Sequence, residues 1–308
     1  LEKIMSNFYL FSKNFVYIID NNNEKIRFEL NKAQLELDEL MDNNKFVAVS
    51  KARQAGISTF VLAKALWRAL TRENENIMIV SYRRDSAKAL FEKLKQMNEW
   101  LPRNEYPSLF PAMRRENRDE LFFDNGSRVS SVSAGNKSIG RGSTYSYIHL
   151  SEFAFYSQQD IQLLSAEQSL SKGNESQLTI ETTSNGTGNK WHSLFMKAWK
   201  GNSKYKAYFV PFYHPLYSKQ FKAEYDEAEK WFYKDNKGER LSKKELEKDE
   251  QVLHEQGATL KQLMWRRWKL QDMALTDFQQ EFPSSPQESF ISTGNSVFDQ
   301  AKVLERIN

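Results

Sequence analysis

Between residues 45 and 212 short apolar runs alternate with stretches of helical periodicity, and nothing else in the chain restricts the fold as tightly. FVAVS (46–50), NIMIVSY (76–82), YIHLS (147–151), LTIETT (178–183) and YKAYFVPF (205–212) read as strands. TFVLAKALWRAL and DSAKALFEKLKQMNEWL repeat apolar residues at helical spacing. Strands that alternate with helices need crossover connections, so the expected class is α/β: a mostly parallel sheet flanked by helices on both faces. One hairpin interrupts the pattern, ELFFDNGSRVSSV, where Asn125 and Gly126 suit a type I′ turn.

From about 217 to 272 the chain changes character. KQFKAEYDEAEKWFYKD and KKELEKDEQVLHEQGATLKQLMWRRWKLQDM are long charged helical patterns. Their lysines and acids nearly balance, which predicts solvated helix faces rather than a binding patch. FPSSPQESF (282–290) breaks the pattern and reads as a connecting segment. The absence of cysteine excludes disulfides and thiolate zinc sites. The histidines, His149, His192, His214 and His254, are scattered without ligand spacing. No apolar run nears the ~18 residues of a membrane span and no signal pattern opens the chain, so no membrane partner is expected. The first residue is Leu1, which suggests a trimmed or processed N-terminus. A net charge of +4 permits a nucleic-acid partner without requiring one.

The stretch SKARQAGISTF (50–60) joins the first strand to the first helix and nearly spells a phosphate-binding loop. The usual pattern is G-x-x-x-x-G-K-[ST], whose backbone N–H groups and helix N-terminus cradle phosphate oxygens. Gly56 and Ser58 are in register, but Ile57 takes the lysine's place and Lys51 stands where the first glycine belongs. Gly56 lets the backbone approach phosphates, and the Ser58 hydroxyl is placed to ligate Mg²⁺. Lys51 at the loop's start can fold back over the same phosphates, and Arg53 offers a second, bidentate cation. The alternative is an ordinary strand-to-helix turn with basic residues facing solvent.

Two further strand ends carry chemistry. YSYIHLSEFAFY (145–156) runs into Ser151 and Glu152: Ser151 holds the place of a magnesium-binding aspartate, and Glu152 that of the base that orients water. Glu152 can also be read as a carboxylate that favours a helix N-terminus. LTIETTSNGTGNKW ends in Thr182, Thr183, Ser184 and Asn185, which can sense a γ-phosphate or simply make a turn.

In this order and spacing the three stretches resemble the ATPase domain of phage large terminase subunits, the genome-packaging motor. KARQAGIS is similar to the deviant Walker A loop of that family, with Lys51, Arg53, Gln54, Ala55, Gly56, Ile57, Ser58 and Thr59 around ATP. IHLSEFAF resembles a Walker B strand with Ser-Glu in place of Asp-Glu, and TTSNG the coupling motif. Upstream, FELNKAQLELDEL resembles the adenine-recognising segment, which implies Gln34 on the base; otherwise Gln34 is a surface helix residue. SIGRGSTYSY puts Arg141 between glycines, where the resemblance implies an arginine finger reaching a neighbouring subunit's ATP. A surface turn is the plainer alternative, and Arg53 is the rival for the catalytic arginine within its own subunit. The likeness covers roughly 28 to 300, densely at four motifs.

The resemblance implies a RecA-like P-loop NTPase core over 1–212 and a small helical lid over 213–295. Residues 296–308 would begin the connection to a nuclease domain that this chain has no room for, so no DNA cleavage is expected and Asp299 reads as a linker acid. The implied mechanism places Mg²⁺ on Ser58 with Ser151 near its water shell, Glu152 on the attacking water, and Thr182–Asn185 as the relay to a moving lid. The implied partners are double-stranded DNA gripped without regard to sequence, other copies of the chain in a ring, the portal and the small terminase subunit. The implied place is the host cytoplasm, docked transiently on the procapsid. Arg103, Arg114, Arg115 and Arg118, in a loop-like basic stretch, and Arg83 and Arg84 are the candidate DNA contacts. A helicase-like translocase of another family and a non-catalytic DNA-binding scaffold with a decayed nucleotide site are the competing readings.

Overall fold

The computed structural model describes residues 1–135, 139–140 and 142–290. Arg141, Asp299 and the 296–308 segment lie outside these. The chain divides into two units. The first gathers Leu1–Val49, Gly56–Thr182 and Asn189–Tyr208; the second gathers Ser50–Ala55, Thr183–Gly188 and the chain from Phe209 onward.

An eight-stranded sheet runs through the protein in the order β10-β3-β9-β8-β4-β7-β6-β5. Its strands are β3 (Phe46–Lys51), β4 (Asn76–Ser81), β5 (Met113–Glu116), β6 (Glu120–Phe123), β7 (Arg128–Ser133), β8 (Tyr147–Ser151), β9 (Gln177–Thr182) and β10 (Lys206–Val210). The pairs β4–β7, β4–β8 and β8–β9 are parallel, while β5 and β6 close one edge antiparallel. The mostly parallel α/β sheet flanked by helices is therefore present. Every residue of β8 and β9 is buried, which is why these strands read as near-continuous runs rather than alternations.

In the first unit α4 (Ile57–Thr71) is buried at every position from Phe60 to Leu70. A helix enclosed on all sides must pair its charges: Lys64 meets Asp38 and Asp42 at 2.6 Å, and Arg68 meets Glu75 at 2.9 Å. Helix α3 (Lys32–Asp42) contributes those aspartates. The N-terminal segment, which periodicity left unread, forms α1 (Glu2–Met5), α2 (Phe8–Phe15) and the hairpin β1 (Tyr17–Ile19) with β2 (Lys25–Arg27). Its phenylalanines pack inward, Phe8 on Phe60 at 5.5 Å and Phe15 on Phe110 at 5.4 Å. The remaining helices of this unit are α5 (Arg84–Glu99), α6 (Gln159–Ser169) and α7 (Lys190–Trp199).

Two local expectations change. Of Asn125 and Gly126 only Gly126 takes positive φ (+81°), and Phe123 N donates to Ser127 O. The turn is thus a three-residue loop ending in a left-handed glycine, not type I′. The Asn125 amide is needed elsewhere: it donates to the carbonyls of Ala69 and Arg72 at the end of α4. Arg114 and Arg115 are not in a loop but on the edge strand β5.

The second unit contains α8 (Tyr217–Gln220), α9 (Lys222–Asp235), α10 (Lys248–Glu255), α11 (Leu260–Lys269), α12 (Leu275–Glu281) and α13 (Pro286–Ser289). The long charged pattern from 243 is broken at Gly257, whose φ of +116° no continuing helix allows. Its faces are not simply solvated. Trp265 is fully buried among Phe212, Phe221, Tyr225, Phe278 and Phe282, with ring centroids 5.1–6.2 Å apart. The charges pair between helices: Arg267 holds the buried Glu250 bidentately, and Lys261 meets Asp226 at 2.7 Å. The 282–290 stretch is likewise packed, with Phe282 and Phe290 buried and Ser285 capping α13.

Candidate active site

The phosphate-loop pattern divides at Gly56. In the first unit, Asn31 and Gln34 form a reciprocal capping box at the start of α3, which fixes the Gln34 side chain. Its amide nitrogen then donates to Gly56 O at 2.9 Å. Gly56 takes φ +72°, and a Cβ there would stand 2.9 Å from that nitrogen, so only glycine fits. Gln34 is therefore neither a surface residue nor an idle one; it is buried and clamps the loop's last turn. The helix that Gly56 opens has no side-chain cap, a feature it shares with α5, α6, α9 and α12, whereas α2, α3, α7 and α11 are each capped by Asn or Thr. Ile57, Ser58 and Thr59 form its first turn, Ile57 buried and the two hydroxyl residues half-buried.

At the end of β8 Ser151 is buried and its Oγ donates to Glu181 Oε1 at 2.6 Å. His149 Nε2 stands 3.2 Å from the same oxygen. Glu152 follows in the left-handed region (φ +54°, ψ 44°), its N–H donating to Glu181 O at 2.7 Å. Glu152 stands at the N-terminus of a single 3-10 turn, and its side chain makes no cap bond there. Its carboxylate accepts from Thr182 Oγ1 at 3.3 Å, and the same hydroxyl accepts from Ala154 N at 3.3 Å. The buried Tyr156 hydroxyl has no hydrogen-bond partner among the described residues. Burial first, then the charges of Glu181 and Glu152, push its pKa well up, so it stays a neutral donor beside two carboxylates.

In the second unit Lys51 ends β3 and is only 6% exposed, unlike a solvent-facing base. Ala52 N donates to Val210 O at 3.0 Å, and Ala52 O accepts from the Tyr217 hydroxyl at 3.1 Å. Arg53 is exposed, yet tied twice to the end of α12: its N–H donates to Glu281 O at 2.9 Å and its guanidinium pairs with the Glu281 carboxylate. Gln54 is left-handed at φ +60°; among the described residues five besides glycine take positive φ, and Gln54 and Glu152 are two of them. Such strain persists where surrounding structure enforces it, often at functional sites. Ala55 is buried. Downstream, Thr183 and Ser184 are buried and Asn185 is exposed; Ser184 Oγ contacts Ser50 Oγ at 3.4 Å and donates to Ser289 Oγ at 2.9 Å.

The arginines divide by environment. Arg103 donates to Asn98 at 2.7 and 2.9 Å and lies over Phe110, a packing role. Arg115 pairs with Glu120 at 2.6 Å, whereas Arg83 rests on Tyr82 and Arg84, Arg114 and Arg118 are exposed. Sequence reasoning missed Glu181 and Glu281. A charged residue inside the apolar run LTIETT was a usable signal for the first; nothing local marked the second. Among the described residues no helix is long and apolar enough to cross a membrane, and no three His, Cys, Asp or Glu side chains cluster as a metal cage.

Residues 48–274 match the family described as terminase large subunit, T4likevirus-type, N-terminal. The fold is similar to the Thermus phage P74-26 large terminase ATPase domain, at 15% identity and TM-score 0.55, over 86% of this chain and 95% of that one. A mutant of that domain superposes over 66% and 89% with TM-score 0.51 and 16% identity. The HK97 bacteriophage large terminase gives TM-score 0.55 and 15% identity over 68% of this chain, which spans 44% of the HK97 protein. At these identities the likeness is one of fold. The extent of the family match decides membership: the chain belongs to the terminase large-subunit family of phage DNA packaging, within the N-terminal region of those subunits.

Proposed function

We propose that the chain is an ATPase that drives translocation of double-stranded viral DNA into a procapsid, as the motor part of a large terminase. One observation carries the reading: a left-handed Gly56, clamped by Gln34, closes the short loop after strand β3 and opens a fifteen-residue, largely buried helix with its first N–H groups uncapped by a side chain. Backbone N–H groups left without a side-chain cap at a helix start favour phosphate oxygens. ATP lies over Lys51–Thr59. Lys51 and Arg53 supply the charge that Ile57 cannot, and Gln34 sets the loop's shape while its remaining amide proton serves the base.

The hydroxyls of Ser58 and Ser151 are oxygen donors of the kind that suits Mg²⁺, which takes few protein ligands and keeps waters and phosphates; the unpartnered Tyr156 hydroxyl, facing the charges of Glu152 and of the Glu181 that holds Ser151, is consistent with a bound water at that strand end. When bound, Mg²⁺ would neutralise charge developing on the phosphates. Glu152 orients a water toward the γ-phosphorus and accepts its proton as the new P–O bond forms and the bond to the bridging oxygen breaks. Thr182, hydrogen-bonded to that carboxylate, relays the change into Thr183, Ser184 and Asn185. The segment 213–295, whose described helices are α8 to α13, acts as the lid. Exposed Arg83, Arg84, Arg114 and Arg118 are the remaining candidates for DNA phosphates. The ring of copies, portal, small subunit and host-cytoplasmic setting belong to the same proposal.

The test compares hydrolysis with binding of a fluorescent ATP analogue, with Mg²⁺ and DNA present. Glu152→Gln lowers the rate by ~10²–10⁴ while binding survives; Lys51→Ala loses binding. A native chain that binds no nucleotide at high protein concentration overturns the reading in favour of a scaffold.

A further inference from the structure

Glu181 is the one charged residue of β9, a strand of six buried side chains, and it has no exposure at all. Packing gives no reason for it, because an apolar residue of similar volume would avoid the desolvation of a carboxylate. Two groups converge on one of its oxygens, Ser151 Oγ at 2.6 Å and His149 Nε2 at 3.2 Å. In P-loop enzymes a strand-end aspartate attends the metal. Here the corresponding residue is Ser151, and the parallel register of β8 and β9 sets Ser151 directly opposite Glu181.

We propose that Glu181 supplies, from the neighbouring strand, the carboxylate that the Ser151 position lacks. It takes the Ser151 hydroxyl proton in a hydrogen bond, which leaves the oxygen lone pairs to accept from magnesium-bound water, and it puts a negative charge behind that oxygen. Glu181 acts through Ser151 and is a positioning residue. The inference rests on the reading of this site as one for Mg²⁺ and ATP.

Glu181→Gln keeps an acceptor for Ser151 and removes only the charge. Binding of a fluorescent ADP is titrated with Mg²⁺, and thermal melting checks the fold. The Mg²⁺ needed for half-maximal binding rises roughly tenfold or more, as for loss of a group that supports a metal's ligands. The double variant Ser151→Asp with Glu181→Ser, which moves the carboxylate from β9 to β8, recovers the native requirement. Ser151→Asp alone sets two carboxylates in register and does not. The inference is overturned if Glu181→Gln keeps the native Mg²⁺ requirement, or if the double variant melts like the native protein yet binds no better than Glu181→Gln. Failure of the native chain itself to bind ADP at any Mg²⁺ concentration removes the underlying site reading and this inference with it.

Discussion

Arg53 shows how one residue can be both available and restrained. Its side chain is 61% exposed, as a phosphate-seeking cation should be, yet Glu281 holds it through backbone and carboxylate together. The side-chain part is a largely solvent-screened pair, worth at most ~1 kcal/mol. Releasing it costs little stability, and competition from Glu281 weakens any hold of Arg53 on phosphate by a similar small amount. Glu281→Gln is therefore expected to tighten ATP binding by about 2- to 5-fold with little change in melting temperature, read by titration with a fluorescent ATP analogue. If Arg53 plays no part in binding, the affinity stays fixed. The strand-end positions of the loop, Glu152 and the Thr182–Asn185 edge were legible because each is polar punctuation directly after an apolar run, so sequence neighbours define them. A charge inside an apolar run marks Glu181 locally, but its pairing with Ser151, like that of Glu281 with Arg53, joins residues distant in sequence, and no local pattern encodes it.

Elements with one consistent periodicity were read well: β3, β4, β8, β9, α4 and α5 all lie within a residue or two of the expected spans. The chain before α3 was missed because α1, β1 and β2 are too short to show a period. The charged stretch after 217 is helical as expected, but its buried core was hidden for another reason. Its lysines and acids hid the aromatic positions that matter, since Phe221, Tyr225 and Trp265 come from α9, its flank and α11. Trp265 is the centre of that cluster, and its indole N–H donates to Glu224 at 2.8 Å. Trp265→Ala should remove ~3–5 kcal/mol of stability, measured by urea denaturation followed by circular dichroism. Trp265→Phe should cost much less, because a ring still fills the space among Phe212, Phe278 and Phe282. Equal losses for both substitutions would mean that the Glu224 hydrogen bond, not the packing, dominates.

If the chain works in the proposed ring, the arginine that completes each site comes either from the same subunit or from its neighbour. A phosphoryl transition state gains ~10³–10⁵ in rate from an inserted arginine, and the sequence around Arg141, glycine on both sides, suits close approach to a neighbour. In a head-to-tail ring every site then combines its own Glu152 with Arg141 of the adjacent copy. Arg141→Ala and Glu152→Gln should each be inactive alone, but for complementary reasons. Mixed in equal amounts, a subunit carrying Arg141→Ala keeps its Glu152 and can receive Arg141 from a Glu152→Gln neighbour. Random mixing makes such a pair at about a quarter of the sites, so about a quarter of the native rate returns. The native rate per subunit should also rise with protein concentration as rings form. A mixture that stays as inactive as its components, at concentrations where the native protein has reached its full rate, instead places Arg141 within its own subunit, while an Arg141→Ala protein that keeps its rate by itself makes Arg53, freed from Glu281, the group to examine.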